Sequence, residues 1–211
     1  ESYCFGDTIT INVTNQYSSY LWSTGATTQS ININNSGQYY VAVYDSVGCF
    51  GDTLVVINFP NAMVVSIDSI SNISCFGGSN GYISCLVSGG ISPYTYLWNN
   101  NYTTENLYNV STGSYSVIVT DSNGCQNTAY GFISEPSLLE INTVNISHIS
   151  CYGENNGSAQ ILTSGGTQPY TFNYGNYITG DSLSEGPYLV SVTDANACFA
   201  MTAFAILEPA P

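Results

Sequence analysis

The 211-residue chain contains no lysine, no arginine and a single histidine, against fourteen aspartates and glutamates, for a net charge of −14. Each missing residue type closes off chemistry. Nucleic-acid binding needs cations to neutralise phosphate, so no nucleic-acid partner is expected. A phosphate-binding loop lacks its lysine, a Schiff base lacks its amine, and a Lys–Asn isopeptide cross-link has no donor. Only 7% of the residues are charged, where a soluble domain carries about 25%. Cohesion must therefore come from apolar burial, hydrogen bonds, covalent links or bound cations. Long apolar runs are missing too. Nothing approaches the roughly 18 residues of a membrane span, so no membrane insertion is expected. No amphipathic helix of useful length, signal peptide or initiator methionine is present, and Glu1 reads as an internal or processed start.

What is present is 44% hydrophobic and 13% aromatic, with 18 tyrosines, too apolar a composition for disorder. Gly, Pro, Asn, Ser and Thr cluster at short intervals, which is the punctuation of an all-β chain. Three segments superimpose: SSYLWSTGATTQSININNSGQYYVAVYDSVGC from residue 18, SPYTYLWNNNYTTENLYNVSTGSYSVIVTDSNGC from residue 92, and QPYTFNYGNYITGDSLSEGPYLVSVTDANAC from residue 168. Copies two and three share a preceding block, ISCFGGSNGYISCLVSGG and ISCYGENNGSAQILTSGG. Internal repetition of this kind signals serial structural units. Each unit ends near a proline (Pro60, Pro136, Pro209), which suits a short stiff connector. Three domains are expected, over residues 1–60, 61–137 and 138–211, the first missing its opening strand. The array reads as part of a longer one.

Within a unit the period is two. In GQYYVAVYD, GSYSVIVTD and GPYLVSVTD one face carries Tyr39, Tyr115 and Tyr188, then Val41, Val117 and Val190, then Val43, Val119 and Val192. The opposite face varies freely between copies, so the constant one is the core face. A tyrosine at the entry of a late strand matches the tyrosine corner of immunoglobulin-like sandwiches. The expected fold is tandem immunoglobulin-like β-sandwich domains with about seven short strands each.

Seven cysteines punctuate this pattern. Cys4, Cys75 and Cys151 open the units, and Cys49, Cys125 and Cys198 close them. The recurrent loops of 45, 50 and 47 residues predict one disulfide per domain: Cys4–Cys49, Cys75–Cys125 and Cys151–Cys198. Oxidised cysteines imply an extracytoplasmic setting. Cys85, which aligns with Ile161 in an alternating strand, reads as a small buried hydrophobe, with an intermolecular disulfide as the alternative. Zinc is not expected, because the cysteines stand singly and His148 has no counterpart in the other copies.

The ISC-x-G-x-NG…SGG-x-x-PYTY…G-x-Y-x-V-x-VTD-x-x-GC pattern of copies two and three, over residues 61–209, closely resembles the SprB-type repeat of Bacteroidota. Copy one resembles related immunoglobulin-like domains of the same secreted proteins. Two departures fall in copy three, where Tyr174 stands for Trp98 and Ala197 replaces a glycine. The resemblance implies a non-catalytic stalk segment of a large adhesin or surface fibre of the gliding-motility type, exported by type IX secretion machinery to the bacterial cell surface. Its implied partners are neighbouring repeats and polysaccharide or other surface ligands, and no cofactor is implied. The paired cysteines, the core tyrosines and valines, Trp22 and Trp98 are then architectural. Two alternatives stay open: a carbohydrate-binding module array of a secreted hydrolase, and a self-assembling extracellular filament subunit.

The remaining candidate sites are weighed against simpler roles. Asp45, Asp121 and Asp194 precede the closing cysteines; an Asx turn accounts for them better than a calcium site, which gathers several carboxylates. Six of the seven aspartates precede Ser or Thr. Thr8, Ser46, Thr53, Ser69 and Ser182 fit an Asp-Ser/Thr-aliphatic O-glycosylation acceptor, which strand-entry turn chemistry imitates. Tyr102, Tyr108 and Tyr177 do not recur between copies and are candidates for ligand contact. A triad around His148 is not expected among so many unplaced serines.

Overall fold

The computed structural model describes residues 3–175 and 180–211. Among them there is no helix, so none is long and apolar enough to cross a membrane. The first copy forms β1 (Ile9–Asn12), β2 (Ser19–Trp22), β3 (Ser30–Ile33), β4 (Gly37–Tyr44) and β5 (Phe50–Ile57). The second forms β6 (Val64–Ser71), β7 (Gly81–Ser88), β8 (Thr95–Trp98), β9 (Leu107–Val110), β10 (Gly113–Thr120) and β11 (Gln126–Ile133). The third forms β12 (Glu140–Ser147), β13 (Ser158–Ser164), β14 (Thr171–Asn173), β15 (Gly186–Thr193) and β16 (Phe199–Ile206). Among the described residues the three copies thus form five, six and five strands, where about seven were expected per copy.

Each copy contributes two small sheets. They run β1-β3 and β2-β4-β5, then β6-β7-β9 and β11-β10-β8, then β12-β13 and β14-β15-β16. The resolved ladders are antiparallel, with the glycine-led strand of each copy at the centre of its three-stranded sheet: Trp22 faces Val41 in the first copy and Trp98 faces Val117 in the second. That central strand alternates as its period predicts. Val117, Val119, Val190 and Val192 are fully buried while Ile118 and Leu189 point outward.

By compactness the chain divides into two units. One comprises the chain through Asp68 with Cys85–Glu105 and Ser116–Tyr130; the other comprises Ser69–Ser84, Asn106–Tyr115 and Gly131–Pro211. The first unit has a core of Trp22, Ile31, Ile33, Val41 and Val43, which draws on both sheets of the first copy. The second has a core of Ile149, Ala159, Leu183 and Ile206, joined by Tyr188 and Phe204, which draws on both sheets of the third copy. Two sheets packed through their inner faces make a sandwich.

Polar groups at the core edge are satisfied locally. The Tyr39, Tyr115 and Tyr188 hydroxyls each donate to the carbonyl four residues upstream, on Asn35, Ser111 and Ser184, at 2.8 Å. This is the tyrosine-corner geometry. The buried Trp22 and Trp98 indoles donate to the carbonyls of Thr28 and Thr104 at 2.9 and 2.8 Å. The Ser-Gly-Gly block also has a steric cause. Gly165 has φ +74°, and a Cβ there would lie 1.8 Å from the Leu138 carbonyl oxygen; at Gly89, φ +70°, it would lie 2.0 Å from that of Ala62. Only glycine meets both demands.

Candidate functional site

The recurrent polar feature is the closing turn, Asp-x-x-x-Cys. Asp121 Oδ1 accepts the N–H groups of Asn123 and Cys125, both at 2.9 Å. Asp194 Oδ1 accepts those of Asn196 and Cys198 at 2.8 and 2.9 Å. Asp45 Oδ1 accepts those of Val47 and Cys49 at 2.9 and 2.8 Å. In copies two and three the second oxygen is used as well, accepting from Ile91 N at 3.0 Å and Thr167 N at 2.7 Å. Both acceptances come from the residue just after the Ser-Gly-Gly block. Asp121 and Asp194 are buried. Burial opposes their ionisation, yet the surrounding N–H groups outweigh it and hold both carboxyls below the ordinary carboxylate range. Asp45 is also lowered, chiefly by the Cys49 N–H. These three aspartates, the calcium candidates, each accept the N–H groups of their own turn. Among the described residues no three His, Cys, Asp or Glu side chains gather as a metal-binding group.

The opening loop is a second recurrent element. Asn80 Oδ1 accepts from Ser74 N, and its amide donates to Ser74 Oγ; Asn156 does the same for Ser150. Ile73 N donates to the Ser134 carbonyl and Ile149 N to that of Leu207, at 3.0 and 3.1 Å. Glu135 accepts from Gly77 N at 2.7 Å, and Glu208 accepts from Gly153 N. The acidic residue before Pro136 and the one before Pro209 therefore each close the loop that carries an opening cysteine.

The disulfides join these two elements in a register that differs from expectation. Cys4 pairs with Cys125 and Cys75 with Cys198, each with Cα atoms 5.6 Å apart. Cys49 and Cys151 are exposed thiols. The expected Cys4–Cys49, Cys75–Cys125 and Cys151–Cys198 bridges, one per domain, are therefore corrected. The opening cysteine of one copy bonds the closing cysteine of the next. The third copy shows why. Cys198 immediately precedes β16, whereas the Cys151 loop is bonded to Leu207 and Glu208 just beyond its far end. Eight extended residues separate the two by roughly 26 Å, far beyond disulfide reach. Each loop closed by a bridge spans about 120 residues, which removes about 5 kcal/mol of unfolded-state entropy in the chain-entropy model. A side chain that the sequence pattern did not single out completes each junction. The amide of Asn123 donates to the Tyr3 carbonyl at 2.9 Å, and that of Asn196 donates to the Ser74 carbonyl at 3.0 Å. In both cases the acceptor is the residue before the opening cysteine. The shared Asp-x-Asn spacing of copies two and three was the available signal.

The other candidates fall elsewhere. Cys85 is buried, and burial together with the Glu105 charge pushes its thiol up to about 11. His148 is exposed and accepts the Leu207 N–H on Nδ1 at 3.2 Å. Thr8, Ser46, Thr53, Ser69 and Ser182 are all exposed. Tyr102 and Tyr108 are exposed as well, the latter packed 4.9 Å from Tyr82; Tyr177 lies outside the described residues.

The fold and junctions define an all-β protein built of serial, cross-linked units. The family model of the SprB repeat matches residues 67–103, in the second copy, and 143–173, in the third. A comparison with curated proteins finds no match. Three solved structures are similar over most of the chain. One is the N-terminal eight Ig domains of Down syndrome cell adhesion molecule, with 14% identity, TM-score 0.38, and 98% of this chain against 34% of that one. Another is Bacteroides ovatus SGBP-B of a mixed-linkage glucan utilization locus, in complex with a mixed-linkage heptasaccharide, with 16% identity, TM-score 0.23, and coverage of 98% and 64%. A third is a tetra-tandem repeat in the extending region of a large adhesion protein, with 14% identity, TM-score 0.25, and coverage of 89% and 66%. The chain thus spans less than two thirds of each of these structures, and none of the three reaches a TM-score of 0.5.

Proposed function

We propose that the chain is a non-catalytic, load-bearing stalk segment of a bacterial cell-surface adhesin, built from immunoglobulin-like sandwiches over residues 1–60, 61–137 and 138–211. The observation that carries this reading is the register of the disulfides, from the opening cysteine of one copy to the closing cysteine of the next. Overlapping bridges of this kind give a filament two covalent paths through every section between Cys4 and Cys198. The SprB-repeat matches agree with such a role. Two disulfides in a small-core chain fit an oxidising extracellular location, and a gliding-motility adhesin exported through type IX secretion is the specific setting. Absence of lysine and arginine leaves trypsin-like proteases no cleavage site, and uniform negative charge opposes lateral clumping. O-glycans on Thr8, Ser46, Thr53, Ser69 or Ser182 belong to the same reading; an intact mass above 22.6 kDa for the native protein supports them, and an unmodified mass removes them.

Stretching single molecules by their ends tests the load-bearing role. The shortest covalent path runs to Cys4, across to Cys125, back along the chain to Cys75, across to Cys198 and on to the end, about 70 residues, or about 240 Å when fully extended. Added reductant should release the chain to about 700 Å. Extension to the longer value without reductant would overturn the proposal.

A further inference from the structure

We infer that the third copy holds a cleft for a neutral sugar, opened where its side chains are smaller than their counterparts in the second copy. A pyranose ring lies with its C–H face on Tyr174 and its hydroxyls on Asp181 and Gln160. This goes beyond the stalk reading and does not depend on the disulfide register. Alignment of the two later copies sets Ala159 in the place of Ile83 and Tyr174 in that of Trp98. The equivalent pairings Gly81 to Val110 and Gly157 to Leu183 fix the next segment, and they set Gly180 in the place of Leu107. Ile83, Trp98 and Leu107 are each at most 1% exposed. Ile to Ala keeps only the Cβ, Leu to Gly removes the whole side chain, and Trp to Tyr exchanges two rings for one. Ala159, Tyr174 and Gly180 all line one cleft of about 610 Å³, and the larger Gln160 and Ile161, in the places of Ser84 and Cys85, do not refill it. A Cβ at Gly180 would lie 2.1 Å from the Ala159 carbonyl oxygen. The glycine thus lets its segment close on β13, where the Ala159 N–H donates to the Gly180 carbonyl at 2.7 Å and holds that wall in place.

The lining selects the ligand. With no lysine or arginine in the chain, a phosphate, sulfate or carboxylate group finds no cation. Phe172 and Tyr174 line the cleft with rings stacked 6.4 Å apart at 28°, flat apolar surfaces suited to a C–H face. Exposed Gln160 both donates and accepts, and exposed Asp181 accepts. Burial and the Asp181 charge raise the Tyr174 pKa, so its hydroxyl stays protonated at neutral pH. A sugar presents the matching pair of surfaces, an apolar face and a rim of hydroxyls that donate and accept. A small cation would suit Asp181 and the rings, yet it leaves a cleft of ligand size mostly unfilled. Tyr174 also lines a second cleft, of about 330 Å³, with Ser184, Glu185 and Tyr188. One ring shared by two clefts suits a chain of sugar residues better than a free monosaccharide.

Titration of the 211-residue chain with hexasaccharides of glucose, mannose, galactose, xylose and N-acetylglucosamine tests this, read by calorimetry and saturation-transfer NMR. At least one should bind, more tightly than its monosaccharide. Asp181→Asn, at an exposed position, should weaken that binding about five-fold, the difference between a charged and a neutral acceptor. Tyr174→Ala should weaken it about ten-fold or more. Ala159→Ile, which restores the side chain of the second copy, should abolish it while a cooperative thermal transition persists. Binding of none of the five sugars would overturn the inference. So would binding that Tyr174→Ala and Asp181→Asn leave unchanged, or binding of hexalysine in their stead that salt abolishes. Stretching reads the bridges and this titration reads the cleft, so failure of either proposal leaves the other standing.

Discussion

The closing turns of the first copy and of the two later copies share one sequence pattern and one set of Oδ1 hydrogen bonds, yet differ in burial. Asp45 is partly exposed and sits beside a free thiol, whereas Asp121 and Asp194 are buried beside disulfides. The turn itself needs only an aspartate and its own backbone. Burial comes from the Ser-Gly-Gly block, whose following N–H supplies the second bond to Asp121 and Asp194. The first copy lacks that block. The later copies therefore tie the junction turn to the body of the sandwich through the aspartate side chain, whereas the first is tied through the Asp45 backbone carbonyl, which accepts from Ser18 Oγ at 2.6 Å.

Breaking the block should have the largest effect. Gly165→Ala drives a Cβ into the Leu138 carbonyl at a positive φ and should destabilise the third copy by about 3 kcal/mol or more. Gly124→Ala, also at positive φ but facing open space, should lose about 1–2 kcal/mol. Urea denaturation of the two variants measures the difference; equal losses would mean that the close approach to Leu138 carries no weight.

Removing the buried carboxylate should come next. Asp194→Asn keeps the shape but weakens the bonds from Thr167, Asn196 and Cys198, for a loss of about 1–2 kcal/mol; Asp45→Asn should lose less. The folded-state pKa values of Asp121 and Asp194 are lowered, so their contribution is complete above the unfolded value near 3.9 and fades as pH falls through the folded values. Acid titration should show that loss below about pH 4, and the Asp121→Asn, Asp194→Asn double variant should flatten it.

Smaller effects probe features that all three copies share. Tyr39→Phe, Tyr115→Phe and Tyr188→Phe each remove the hydroxyl bond to the carbonyl four residues upstream and should each lose about 1 kcal/mol, with Tyr188→Phe losing the most because its hydroxyl also meets Ser184 Oγ at 3.2 Å. Equal losses at all three would mean that the Ser184 contact carries no weight. Ala197 holds φ 65° where Gly48 and Gly124 sit in the other copies. Ala197→Gly should therefore gain stability, by about 1 kcal/mol.

Strands and core faces were legible because three copies vary independently around one buried face: Val41, Val117 and Val190 persist while Tyr40, Ser116 and Leu189 do not. The tyrosine corner was legible for the same reason. Disulfide pairing was not. In a periodic array, pairing within a copy and pairing to the next copy recur with equal regularity. Separations of 121 and 123 residues are as constant as the 45, 50 and 47 that suggested local bridges. Spacing reports distance along the chain, whereas the strand that separates Cys151 from Cys198 fixes distance in space. Asn123 and Asn196 escaped notice because Val47 breaks their series in the first copy. Glu135 and Glu208 were read as part of a proline connector, and their role in closing the opening loop depends on contacts some 55 residues away.

Cleavage after glutamate of the thiol-alkylated, unreduced monomer puts the disulfide register to the most direct test. The peptide 141–154, which contains Cys151, should be released alone and alkylated, while the Cys198 peptide stays bound to the fragment containing Cys75. Recovery of 141–154 bonded to the Cys198 peptide would show bridges closed within each copy and contradict the account.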